Sequence, residues 1–90
     1  MDDRSQIRST AEEETRTESA VLQYILAFHP VQTSREELLR EFDQGSGDAT
    51  QRDAVERAVR DLIASGLLQR NGEMVLPTRA ALRFDQLLGG

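Results

Sequence analysis

Cysteine is absent from the 90 residues, so neither a disulfide nor a thiolate metal site can hold the fold together. Stability has to come from packed aliphatic side chains, with a partner subunit as the remaining source. Lysine is absent too. All 11 basic residues are arginine, which a GC-rich coding bias explains without function and which also suits bidentate recognition of phosphate or carboxylate. No apolar run approaches the roughly 20 residues that a membrane-spanning helix requires, and the polar, acidic N-terminus is unlike a signal peptide. A soluble, cytoplasmic protein without membrane contact is expected. An excess of cations, the electrostatic footprint of a nucleic-acid binder, is missing as well: 16 acids against 11 arginines leave a net charge of −5.

The chemistry of catalysis is equally thin. His29 is the only histidine and sits before Pro30 at the end of a helical pattern, with no metal-ligand spacing around it. Gly45-Ser46-Gly47 follows no strand and precedes no Gly-Lys-Ser/Thr, so it reads as a flexible connector and not as a phosphate loop. Glu12-Glu13-Glu14 reads as a solvated charge run. No nucleophile–base arrangement is visible. The expectation is a non-enzyme with no metal and no cofactor.

What is present is a small domain's worth of punctuated periodicity. Residues 1–17 hold only Met1, Ile7 and Ala11 as apolar side chains among five acids and three arginines, and are expected to form a mostly disordered acidic tail. Thr10 and Glu13 fit a capping box, which would start a helix near residue 11. The domain proper, residues 18–90, begins with Val21, Leu22, Ile25, Leu26 and Phe28 on one apolar face, capped by Thr17 or Ser19 and ended by His29-Pro30. Val31 and Gln32 form a short extended strip. Thr33 and Ser34, each with a glutamate three residues on, cap a second helix that buries Leu38, Leu39 and Phe42. A loop over 43–48 leads to a third helix over 50–65, with Val55, Val59, Leu62 and Ile63 toward the core and Gly66 placed to close it. Strands over 67–70 and 73–76 flank Asn71-Gly72, a pair suited to a type I′ hairpin turn. Thr78 caps a fourth helix whose apolar positions are Leu82, Phe84, Leu87 and Leu88.

The order α-β-α-α-β-β-α, the phrase Leu62-Ile63-Ala64-Ser65-Gly66-Leu67-Leu68 and the following Leu76-Pro77-Thr78 resemble winged helix-turn-helix domains of bacterial and archaeal transcription regulators. The resemblance covers about residues 18–88 and is to a superfamily, not to one protein. It implies an α+β, mainly helical winged-helix fold in which the third helix enters the major groove of double-stranded DNA and the hairpin, as the wing, touches the backbone. On that reading Gln51, Arg52, Arg57, Arg60 and Arg70 make the DNA contacts, and a homodimer multiplies a weak half-site. The chain departs from the pattern in its long Gly-Ser-Gly loop and in the charge of the reading surface. Arg52, Arg57 and Arg60 are matched on the third helix by Asp53, Glu56 and Asp61, and Arg70 by Glu73. The spacings Asp53–Arg57, Glu56–Arg60 and Arg57–Asp61 are those of helix-stabilising ion pairs. The alternative is therefore an acidic winged-helix module that binds a protein partner and no DNA.

Overall fold

Helix ends in this chain fall where a residue stops one element and starts the next. In the computed structural model, which describes residues 3–43 and 49–89 and only the backbone of residues 3–10, the elements are α1 (Asp3–Phe28), β1 (Thr33–Ser34), α2 (Arg35–Asp43), α3 (Ala49–Ala64), β2 (Leu68–Asn71), β3 (Met74–Pro77) and α4 (Arg79–Leu87). The result is a mostly helical α+β fold with a three-stranded antiparallel sheet in the order β1-β3-β2. No helix among the described residues is long and apolar enough to cross a membrane.

Ser34 shows the economy of these junctions. It pairs with Met74 in the sheet, and its Oγ accepts the Glu37 amide at 3.0 Å, so the last residue of β1 caps α2. At the far end of α3, Gly66 takes φ +84°, the Leu67 amide reaches back to the Leu62 carbonyl at 3.0 Å, and the Gly66 amide reaches the Ile63 carbonyl at 3.1 Å. These two bonds make a Schellman closure that satisfies carbonyls the helix would otherwise leave open. Thr78 then ties that closure to α4. Its Oγ1 donates to the Gly66 carbonyl at 2.7 Å and accepts the Ala81 amide at 3.2 Å, while its own amide donates to the Leu67 carbonyl at 3.0 Å.

The core lies where α1, α2 and α3 meet one face of the sheet: Val21, Ile25, Leu38, Leu39, Val55, Ala58, Val59, Leu62, Leu68 and Val75. Three rings stand together beside it, with Tyr24 4.7 Å from Phe28 and 6.0 Å from Phe42 between centroids.

Five sequence expectations are corrected. The tail expected to be disordered is helical from Asp3, so Thr10, Thr17 and Ser19 fall inside α1 and cap nothing. Thr17 Oγ1 instead donates to the Glu13 carbonyl at 2.9 Å. The disorder argument counted only burial. Extending a helix that is already nucleated needs little burial, and Glu, Arg and Gln are good helix formers. The extended strip lies at Thr33–Ser34 and not at Val31-Gln32, both of which are exposed. The hairpin turn is displaced by one residue: Asn71 pairs with Met74, so Gly72 and Glu73 form the loop. Alternation cannot discriminate these registers, because moving one residue on each strand keeps every side chain on its face. On the other edge of β3, β1 pairs Thr33 with Val75 and the Arg35 amide bonds the Glu73 carbonyl at 3.0 Å. On α3 the buried face runs through Ala58, and Ile63 is only half-buried. Finally, the loop expected over 43–48 begins one residue late, since Asp43 is the last residue of α2; the rest of that connector lies outside the described residues. Of the apolar positions named for the fourth helix, Phe84, Leu87 and Leu88 stand exposed at 61 %, 65 % and 72 %, and only Ala81 of α4 is buried.

Candidate nucleic-acid interface

The five residues expected to contact DNA do not form one surface. They fall on three sides of α3, and what surrounds them differs in charge.

The first side faces α1. Gln51 and Arg57 line a cleft of about 500 Å³ between α1 and α3, together with Glu13, Glu14, Glu18 and Asp61. Arg16 is the other cation there, so four carboxylates meet two guanidinium groups. Arg57 is already engaged, its Nη1 standing 3.5 Å from Glu14 Oε1. The second side faces α2, where Arg52 lines a small cleft of about 140 Å³ with Arg40, Glu36 and Asp43.

The third side lies between α3, the start of α2 and the hairpin. Arg60 and Arg70 line a groove of about 460 Å³ whose floor is apolar, formed by Leu38, Leu39, Val55 and Val59. Arg35 joins them, and the acids of the groove are Glu56 and Glu73. Arg35, the first residue of α2, pairs with Glu56 and stands 3.9 Å from Glu36. Among the described residues neither Arg60 nor Arg70 has a carboxylate within 4.0 Å. Nor do the pairs expected from spacing form: Asp53–Arg57, Glu56–Arg60 and Arg57–Asp61 all stay beyond that distance. Glu56 turns to Arg35 and Arg57 turns to Glu14, because tertiary neighbours offer these side chains partners that a lone helix lacks.

Arg35 was missed in the sequence. A signal existed, since a cation in the first turn of a helix opposes the macrodipole, where carboxylates are favoured. Arg35 is an exception that tertiary pairing with Glu56 explains.

Elsewhere, burial and then the charges of Glu41 and Glu37 raise the Tyr24 phenol above its ordinary value. No group of three or more His, Asp or Glu side chains among the described residues could hold a metal ion. No buried side-chain nitrogen or oxygen there lacks a partner. Compared with family models, with curated proteins and with solved structures, the chain matches none.

Proposed function

We propose that this chain is a small winged-helix DNA-binding regulator that acts as a dimer, with α3 as the reading helix and the β2–β3 hairpin as the wing. The observation that carries the reading is the groove in which Arg60 and Arg70 have no carboxylate partner among the described residues, with Arg35 beside them. Counterion release depends on cations that are free to meet phosphates, and these two are. Helix and hairpin present them from both sides of one groove, and arginine contacts to phosphate are what fix a protein's register on a duplex.

On this reading the contact set is Arg35, Arg60 and Arg70, with Arg52 at the N-terminal end of α3. Arg57 and Gln51 are turned toward α1 and contribute little. The acid that matters is Asp53, seven residues before Arg60 and therefore on the same line of the helix. Titrating random duplex DNA at low and moderate salt tests the proposal. Binding should weaken steeply with salt, and Asp53→Asn should tighten it, whereas Asp61→Asn, in the α1 cleft, should do little.

A second reading has its own support. The net charge of −5 and the four carboxylates of the α1–α3 cleft oppose a polyanion and suit a protein partner. Negligible duplex binding at low ionic strength would favour an interaction module.

A further inference from the structure

Three of the five large apolar side chains that stand exposed among the described residues belong to α4 and its C-cap: Phe84, Leu87 and Leu88. With Ala80 they follow one another at i, i+4, i+7 and i+8, which places them in a single stripe. All four are exposed, while Ala81, along one edge of the stripe, is buried.

We propose that this face is the contact between two copies of the chain, the α4 stripe of one lying antiparallel on that of the other. The inference names the surface for the dimer in the reading above, but it rests on the stripe and not on DNA.

Two arguments select a second copy as the occupant. The first is area. Phe84, Leu87 and Leu88 at 61 %, 65 % and 72 % exposure, with Ala80 beside them, amount to on the order of 400 Å², within the range of patches that are functional. A stable interface buries about 800 Å² per partner, of which roughly two thirds is apolar in a homodimer. The stripe supplies most of that share. The second is self-complementarity. A two-fold axis requires each residue's partner to be reciprocated. With the axis at Phe84, each Phe84 meets its copy, Ala80 meets Leu88 of the second copy, and Leu88 meets Ala80. Bulk faces smallness at both ends of the stripe, so the helices can approach closely. The exposed Gln86 falls beside Arg83 of the second copy at the edge.

Salt gives the association its signature. Each copy carries −5, so screening should strengthen contact between two copies, whereas it weakens contact with a polyanion or a basic partner. The experiment is sedimentation equilibrium of the full chain over a wide concentration range at low and high salt, without DNA, for wild type, Phe84→Glu and Leu87→Glu. Wild type should reach twice the 10.1 kDa of one chain, more readily at high salt. Each variant should raise the dissociation constant at least tenfold while keeping the wild-type helical circular dichroism. Because the chain has no cysteine, a second test needs no background correction. Residues 80 and 88 lie about 12 Å apart along the helix, too far for an internal disulfide. The double variant Ala80→Cys/Leu88→Cys should therefore form a covalent dimer on oxidation. Wild type that stays monomeric throughout, glutamate variants that dimerise like wild type, or a double-cysteine chain that stays monomeric on oxidation would overturn the proposal. A dimer that ignores duplex DNA would leave it standing and remove the DNA reading, and a monomer that binds duplex would do the reverse.

Discussion

Two clefts flank α3, and one helix supplies both with arginines. In the cleft toward α1, Arg57 lies among Glu13, Glu14, Glu18 and Asp61 and is paired to Glu14. In the groove toward the hairpin, Arg60 and Arg70 stand beside Arg35 and outnumber Glu56 and Glu73. Arg57 and Arg60 are only three residues apart in sequence, yet one is committed and the other is available. The comparison teaches that the net charge of a chain, or even of a helix, is a poor guide to what a surface can bind. α3 is neutral when its arginines and acids are counted, but the fold separates its two sides. The side that α1 covers collects the acids, and the side that the hairpin covers keeps the cations.

The largest perturbation should erase both clefts together. Leu62 is buried on the face of α3 that supports them, and Leu62→Ala should cost about 2–5 kcal/mol, a large share of a small domain's stability. A denaturant midpoint that does not move would mean that α3 is rotated and that the clefts are misassigned. A smaller change should separate them. Gly72 holds φ +61° at the first loop position of the hairpin, and nothing lies within 4 Å of where a Cβ would stand. The obstacle to substitution there is therefore backbone conformation and not space. Gly72→Val should cost about 1–2 kcal/mol, the penalty of a side chain in the left-handed region. It should broaden NMR signals of Arg70 and Val75 while leaving those of Val21 and Ala54 in place. Equal disturbance on both sides of α3 would show that the groove and the α1 cleft are not independent. The smallest effect belongs to the α1 cleft. Arg57 and Glu14 are each about half exposed, so their pair is screened by solvent, and Glu14→Gln should change stability by less than about 1 kcal/mol. A larger loss, measured by thermal melting, would make the pair a structural anchor for α1.

Element order and helix ends were legible in the sequence because punctuation residues act locally. Ser34 and Thr78 cap their helices and Gly66 closes its own within a few residues, so type and position sufficed; the reach of Thr78 back to the Gly66 carbonyl was not legible. The hairpin turn was misplaced by one residue because the two registers keep every side chain on the same face, so alternation cannot tell them apart. The acidic tail was misread because composition registers the missing burial but not the ease of extending a helix. The exposure of Phe84, Leu87 and Leu88 was not legible, because periodicity reports which residues share a face and not which face meets the protein. The candidate site was legible residue by residue but not as a surface. Arg60 and Arg70 were named and belong together. Arg57 and Gln51 were named and belong elsewhere. Arg35 was overlooked because it sits on α2, outside the helix and hairpin that the resemblance singled out.

The central claim is that the two sides of α3 differ in function as they differ in charge. The measurement that tests it most directly is duplex binding as a function of salt for wild type, for the double variant Arg60→Ala/Arg70→Ala, and for Arg57→Ala. The account predicts that the double variant loses about two from the slope of log affinity against log salt, one for each phosphate contact removed, while Arg57→Ala keeps the wild-type slope. Equal losses from both variants, or no binding by wild type at low ionic strength, would contradict it.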